Sequence, residues 1–192
     1  MAAGRFTRAE LDAHRGAVVD DLLGPNLRLL FVGINPGLWT AAANAHFARP
    51  GNRFWPALHA AGITAHVVDA SAGMPEADRD QLLAAGVGIS NIVPLATARA
   101  DELTSAQLRS GAARLTRLVE RVRPKVVAVL GLTAYRQAFA LPATKVGRQP
   151  HDLAGAELWV LPNPSGLNAH ETLASLATAY RAAAVAAGVV VP

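Results

Sequence analysis

Two short loops that contain the dipeptide Asn-Pro constrain most strongly what this chain can fold into. The loop 33–37 follows the apolar run 29–32, and the loop 163–168 follows the apolar run 158–161. Short apolar runs of this kind predict buried strands of a parallel sheet. Proline ends such a strand because it removes a backbone donor and restricts the residue before it. Since open α/β folds bind ligands at the carboxyl ends of their strands, we expect the two loops to meet at one cleft.

The composition is typical of a globular protein without cofactors. The 192 residues are 52% apolar and 17% charged, which predicts a single domain over residues 1–192 with a substantial core. The chain has neither a long apolar run nor an apolar signal sequence, so we expect a bacterial cytoplasmic protein that acts at the nucleoid. It has no cysteine, and its six histidines lack paired spacing. We therefore expect no metal and no cofactor.

The charge balance leaves two interpretations open. The net charge is +4, and all but two of the 18 basic residues are arginine. A basic protein favours polyanionic partners such as nucleic acid. An arginine- and alanine-rich composition is equally typical of a high-GC genome.

Strand-like and helix-like patterns alternate along the chain. They predict a three-layer α/β/α sandwich with a mainly parallel central sheet. The predicted strands are 27–34, 87–93, 125–130 and 157–161. The predicted helices are 7–23, 53–61, 76–85, 104–122, 133–140 and 171–187, with capping boxes at Thr7 and Thr104. Segments 38–52 and 142–155 are predicted to be irregular.

Three ordered motifs resemble those of the mismatch-specific uracil/thymine DNA glycosylases in the uracil-DNA glycosylase superfamily. They are Gly33-Ile34-Asn35-Pro36-Gly37, Asn52-Arg53-Phe54-Trp55 and Leu161-Pro162-Asn163-Pro164-Ser165-Gly166-Leu167. The order of strands and helices agrees too, so the resemblance covers nearly the whole chain. It implies a uracil-DNA glycosylase-like fold and a monomeric DNA repair enzyme. Such an enzyme flips uracil, thymine or ethenocytosine mispaired with guanine out of double-stranded DNA and hydrolyses its N-glycosidic bond.

The resemblance makes Asn35 the catalytic residue, which positions a water near C1′ of the sugar. An amide is not a useful general base, so we expect a slow enzyme that relies on positioning and on the leaving base. The expected base pocket consists of Gly33, Ile34, Gly37, Phe47, Asn91 and Asn163.

Three of these assignments have alternatives. Gly37 stands where strict uracil enzymes, by resemblance, place a tyrosine that excludes the thymine methyl group, but it could simply complete a turn. Phe47 is expected to stack on the flipped base rather than join the core. Asn91 is equally suited to contact the base or to cap a strand. Asn52 and Arg53 are expected to tie their loop to the domain.

The second Asn-Pro loop, by resemblance, enters the duplex. The residues expected to fill the gap and read the opposite base, partly through the backbone, are Gly166, Leu167 and Asn168. The expected phosphate contacts are Ser165, His170, Lys145 and Arg148. A core position for Leu167 and a helix cap at Ser165 are the alternatives. Asn168-Ala169-His170 departs from the familiar bacterial pattern, in which an arginine follows the wedge, and this weakens the expected guanine preference.

Other functions fit the sequence less well. A weakly catalytic protein that binds lesions or abasic sites would use the same fold. A hydrolase with Ser165 as nucleophile lacks the GxSxG pattern. Neither Asn-Pro motif contains a lysine, so no lyase step is expected. Arg114, Arg117 and Arg121 share a helical face that is expected to be solvated rather than bound to DNA.

Overall fold

A five-stranded sheet forms the centre of the computed structural model, which describes residues 6–191. The strands are β1 (Leu29–Gly33), β2 (Val87–Asn91), β3 (Val126–Leu130), β4 (Gly147–Arg148) and β5 (Glu157–Leu161). Their spatial order is β2-β1-β3-β5-β4. The first four in this order are parallel, and β4 pairs antiparallel with β5. The predicted mainly parallel sheet is confirmed.

Helices cover both faces of this sheet. They are α1 (Arg8–Ala13), α2 (Leu38–Ala43), α3 (Phe54–Ala60), α4 (Glu76–Ala84), α5 (Ser105–Val122), α6 (Leu132–Phe139) and α7 (Leu173–Ala187). Successive side chains of a strand point to opposite faces. Leu29 and Phe31 accordingly belong to the core with α3 and α7, whereas Leu30 and Val32 belong to the core with α5 and α6. The three-layer α/β/α architecture is therefore confirmed.

The topology places a cleft at one edge of the sheet. From β1 the chain passes to β2 on one side, then crosses to β3 on the other side of β1. Such a switch point is where doubly wound sheets bind ligands. Gly33, the last residue of β1, is paired with Asn91, the last residue of β2. Both strands therefore end at the same level and open into the same space.

The prediction of a helix over 7–23 is wrong beyond Ala13. The capping box at Thr7 forms as predicted, but Gly16 adopts a φ of +77° and α1 ends before it. The following segment runs extended beside β2, where the N–H and C=O groups of Leu22 each bond to Ile89 at 2.8 Å. Backbone groups at the open edge of β2 need partners. This tertiary pairing outweighs the helical pattern.

Two segments predicted as irregular contain short regular elements. Segment 38–52 begins with α2, which has no side-chain cap at Gly37 and ends at Asn44 in the left-handed conformation. Segment 142–155 contains β4, which is two residues long. Elements this short leave little periodicity in a sequence. Among residues 6–191, no helix combines the length and apolarity that crossing a bilayer would need.

Candidate active site

The carboxyl ends of four strands surround a cavity of about 170 Å³. The loop 33–37 lines it from β1, Asn91 from β2, Leu130 from β3 and Asn163 from the loop after β5. All the residues predicted for the base pocket line it together with Asn35: Gly33, Ile34, Gly37, Phe47, Asn91 and Asn163. Pockets for drug-sized ligands enclose roughly 300–1,000 Å³. A cavity of this size suits a single small ring.

The amide of Asn35 is fixed by three acceptors. The two N–H groups of its Nδ2 are shared among three oxygens, the carbonyls of Pro36 and Leu95, both at 3.1 Å, and Oγ1 of Thr97 at 2.7 Å. The Thr97 hydroxyl donates to the carbonyl oxygen of Arg99 at 2.8 Å, so it must accept from Asn35. Only a nitrogen can face these three oxygens. Among residues 6–191 no donor bonds to Oδ1 of Asn35, which lies in the cavity wall as an available acceptor.

An aromatic stack forms another wall of the cavity. Phe47 stacks on Phe54 with ring centroids 3.9 Å apart and an interplanar angle of 22°. It is half-buried, so it both packs against the core and lines the cavity. A Cβ atom at Gly33 would lie 2.6 Å from Oδ1 of Asn91 and 3.2 Å from Phe47. Glycine at position 33 is therefore what allows both side chains to approach the strand end.

Side chains within the second loop fold it into a compact turn. Oδ1 of Asn163 accepts from the N–H of Ser165 at 2.9 Å, and Nδ2 of Asn168 donates to the Asn163 carbonyl at 3.0 Å. Leu167 stands at the tip with 82% of its surface exposed. Its predicted exposure is confirmed, and the alternative of a core residue is wrong.

Arg53 ties this loop to the body of the protein. Its guanidinium donates to the carbonyl oxygens of Ser165 (2.7 Å), Asn168 (2.8 Å) and Glu171 (2.5 Å). Its backbone N–H donates to Pro164 at 3.0 Å. Arg53 was expected to tie its own loop to the domain, but its guanidinium instead holds the second Asn-Pro loop.

Comparison with known proteins gives a family to this geometry. The model of the uracil DNA glycosylase superfamily matches residues 21–186 of the chain. The chain belongs to the uracil DNA glycosylase superfamily. The match spans both Asn-Pro loops and the cavity between them. At this level the chain is a DNA glycosylase, a hydrolase of DNA repair whose substrate is DNA.

A solved structure shows the same fold. It is the solution NMR structure of a protein from Methanosarcina acetivorans, named as a candidate uracil DNA glycosylase. The two share 19% sequence identity with a TM-score of 0.60, over 92% of this chain and 98% of the other. At this identity the likeness concerns the fold. It confirms the uracil-DNA glycosylase-like architecture that the sequence predicted.

Within this member of the superfamily, the cavity wall has no carboxylate among the described residues. Arg49 is the formally charged side chain that lines it, and Asn35, Asn52, Asn91 and Asn163 supply amides. Residues 6–191 also contain no cluster of three or more histidine, cysteine or acidic side chains that could hold a metal ion. The cavity therefore offers hydrogen bonds and positioning without a carboxylate base in its described lining.

Several predicted DNA contacts lie away from the cavity. Lys145 and Arg148 line a separate cavity around β4, and Arg148 forms a 3.1 Å ion pair with Glu157. His170 is exposed beyond the wedge, with its N–H bonded to Oδ1 of Asn168 at 3.3 Å. The structure does not bring these three basic side chains to the cavity.

One alternative and one expectation for the second loop are corrected. Ser165 does not cap α7, because Thr172 is the N-cap of that helix and forms a capping box with Ser175. Oγ of Ser165 instead accepts from the N–H of Leu167 at 3.3 Å. The backbone of Asn168 was expected to help read the opposite base, but its N–H bonds to Ser165 at 3.0 Å and its carbonyl bonds to Arg53. Both backbone groups of Asn168 therefore already have hydrogen-bond partners within the protein.

Arg114 does not share a solvated face with its helical neighbours, so that prediction is wrong. It turns inward, donating to the carbonyl of Asn91 and to Oγ of Ser90, and it lies 3.5 Å from a carboxylate oxygen of Asp21. Arg117 and Arg121 are exposed as predicted. Arg114 thus supports the strand end that carries Asn91.

Four polar cavity residues were missed by the sequence analysis: Thr40, His46, Arg49 and Thr97. Thr97 could have been sought among polar residues that follow β2, since the carboxyl ends of neighbouring strands share an edge. His46 and Arg49 lie in a segment with no periodic signal. Their position next to Phe47 is the one hint that the sequence offers.

His46 is a buried neutral histidine. Burial lowers its pKa below the ordinary 6.5, against smaller raising effects of the Asp20 carbonyl and the charge of Asp21. Its Nε2 lies 2.9 Å from the Asp20 carbonyl oxygen, which can only accept, so the proton of the neutral ring is on Nε2. The ring therefore presents an unprotonated Nδ1.

The buried state of His46 predicts a pH-dependent stability. The lowered pKa means that the unfolded chain binds more protons than the folded chain below about pH 6.5. The free energy of unfolding is therefore expected to be unaffected by this group above that pH and to fall as the pH drops below it. Thermal unfolding from pH 8 to pH 5 should show a smaller loss in His46→Gln than in the wild type. Parallel curves for the two proteins would contradict the assignment.

Proposed function

We propose that this chain excises uracil, and also thymine or ethenocytosine, from G-mispaired positions in double-stranded DNA. The base is flipped into the cavity, and a water held by Asn35 attacks C1′ as the glycosidic bond breaks. The water supplies the new oxygen at C1′, and the departing base takes up the proton. The orientation of the Asn35 amide carries this proposal, because three fixed acceptors leave Oδ1 available to a water.

The other walls suit a flipped pyrimidine. Phe47 has one ring face against Phe54, so a base could extend the stack on the other face. Asn91 and Asn163 provide amide groups for the base edge. The M. acetivorans protein of the same fold is named as a candidate uracil DNA glycosylase, which supports uracil as the first substrate to test.

The wedge is proposed to be Leu167. This large apolar side chain is exposed at a loop tip and does not pack in the core, so it can fill the gap that a flipped base leaves. Gly166 remains free to contact the opposite base, since its N–H and C=O groups form no hydrogen bond among residues 6–191. Mispaired substrates should be preferred because they are flipped at lower cost.

A panel of duplexes tests the proposal. Uracil, thymine and ethenocytosine would each be placed opposite guanine and opposite adenine, and release of the free base would be followed directly. We expect release of uracil opposite guanine at a low rate, since the cavity has no carboxylate among its described residues. Binding to every duplex without any base release would instead establish the alternative of a lesion-binding protein.

Gly37 is expected to control access for thymine. Its φ of −76° suits any residue, and an added Cβ would meet no atom within 4 Å. Gly37→Tyr should therefore fold normally and narrow the cavity. Because one methyl group can be discriminated by about 10-fold or more, thymine release should fall at least that much more than uracil release. Equal losses for both bases, with an unchanged Tm, would show that position 37 does not select the base.

A further inference from the structure

A second cleft opens beside the base cavity, between α1 and the start of α2. It encloses about 430 Å³ and shares Gly37, Arg49 and Ala98 with the base cavity. The two cavities therefore adjoin at these three residues. The second cleft is termed the arginine cleft, since Arg8, Arg15 and Arg49 line it.

Arg49 connects the arginine cleft with the wedge. It also borders a small cavity of about 130 Å³ beside Gly166 and Leu167. The arginine cleft, the base cavity and the wedge loop therefore all adjoin at Arg49. A polymeric substrate with one unit in the base cavity must continue on both sides of that unit. The wedge loop and the arginine cleft both adjoin the base cavity at Arg49, so the arginine cleft is available to a neighbouring unit of the substrate.

The charges of the arginine cleft suit a polyanion. Its lining contains three guanidinium groups and one carboxylate, Asp12. Arg8 and Arg15 each lie 3.9 Å from Asp12, and Arg15 also pairs with Glu102 at 2.5 Å. Arg49 has no ion pair among residues 6–191. Exposed ion pairs contribute only about 0–1 kcal/mol, so a phosphate can replace them at little cost.

The cleft is a fixed part of the fold. The N–H of Gly16, just after α1, donates to the carbonyl of Ala96 at 2.8 Å. Phe6 packs edge-on against Trp39 at 5.1 Å, and Nε1 of Trp39 donates to Ser71 at 2.9 Å. Trp39 also gives the cleft an apolar wall. The arginines of α1 are therefore presented from an anchored helix beside a surface that suits a sugar ring.

We propose that the arginine cleft binds the deoxyribose-phosphate backbone of the lesion strand next to the flipped nucleotide. Arg8, Arg15 and Arg49 donate to phosphate oxygens, as guanidinium groups do in paired geometry. Trp39 packs against the neighbouring sugar. This inference rests on the proposed function, and it makes α1 a part of the DNA-binding surface.

A charge-removal variant tests the proposal. The probe is a duplex with a tetrahydrofuran abasic analogue opposite guanine, which is bound but not cleaved. Arg8→Gln/Arg15→Gln should bind it at least about 10-fold more weakly, because even one lost charged contact has an effect of that size. The slope of log Kd against log salt should fall by about 1 to 2. Arg117→Gln/Arg121→Gln removes the same charge from the exposed face of α5 and should bind like the wild type.

Replacing single DNA phosphates by an uncharged group identifies the phosphate that the arginine cleft contacts. Methylphosphonate would replace each phosphate that flanks the lesion, one at a time. At the contacted phosphate the substitution should weaken binding by the wild type and leave Arg8→Gln/Arg15→Gln unchanged. Insensitivity of the wild type at every position, or an equal loss in the α5 control variant, would overturn the proposal.

The outcomes separate this inference from the proposed function. If the wild type releases uracil and Arg8→Gln/Arg15→Gln binds the abasic duplex normally, the proposed backbone contact is refuted and the proposed activity is retained. If the wild type releases no base, but Arg8→Gln/Arg15→Gln binds the abasic duplex more weakly and one methylphosphonate position weakens binding by the wild type, the proposed activity is refuted. The proposed backbone contact is then retained.

Discussion

Replacing Asn35 by alanine is expected to slow uracil release about 100- to 1,000-fold, the loss typical when one positioned polar group is removed from an active site. The side chain is half-buried in the cavity wall, and its amide nitrogen is fixed by Pro36, Leu95 and Thr97. The variant removes the free Oδ1 acceptor and leaves the wedge untouched. Single-turnover release of uracil opposite guanine measures the effect, and affinity for the abasic-analogue duplex should stay near the wild-type value.

Thr97 provides the matched control for this prediction. Its hydroxyl accepts from Asn35 and donates to Arg99, so it fixes which way the amide points. Thr97→Ser retains the hydroxyl and should keep most of the activity. Thr97→Val loses the acceptor and should slow release by about 10-fold, as for one lost hydrogen bond. An unchanged rate in Asn35→Ala, or equal rates in the two Thr97 variants, would show that this amide does not position the water.

The sequence predicted the positions of the cavity residues better than the way they are held. An apolar run that ends in Asn-Pro marks a strand end, and parallel strands must open on one edge. This places Asn35 and Asn163 together without any structure. The acceptors that orient Asn35 include the carbonyls of Pro36 and Leu95. Backbone carbonyls have no sequence signature, so the amide orientation required the fold.

The errors have a common physical origin in the segment after α1. Its apolar residues fit a helix, but pairing of Leu22 with Ile89 at the edge of β2 makes the segment extended. The same path brings Asp21 to Arg114. In the sequence Arg114 is indistinguishable from Arg117, because both follow one helical periodicity. Asp21 from this segment, together with Ser90 and Asn91 at the end of β2, draws Arg114 inward, and these partners are set by the fold.

Loss of the Arg53 guanidinium is expected to affect both stability and activity on duplex DNA. Arg53→Met leaves three carbonyls of the second loop without their donor: Ser165, Asn168 and Glu171. We expect a loss of about 2 kcal/mol in the free energy of unfolding, which lowers Tm by about 5 °C in a chain of this size. Uracil release from duplex DNA should fall far more than release from single-stranded DNA, where no wedge is needed.

Arg181→Met is a matched control, because Arg181 also donates to two backbone carbonyls, those of Ala61 and Val191, away from the cavity. It should lower Tm without changing the ratio of duplex to single-strand activity. Leu167→Ala should do the reverse, since an 82% exposed side chain contributes little to stability.

A double-mutant cycle then tests whether Arg53 acts through the wedge. Leu167 can enter the duplex only while Arg53 holds the loop, so Leu167→Ala should slow duplex release in the wild type and have little further effect in Arg53→Met. If the two substitutions slow duplex release by independent factors that multiply in the double variant, Arg53 stabilises the fold without positioning Leu167. Non-additive losses confined to the duplex substrate would establish that the wedge works because its loop is rigid.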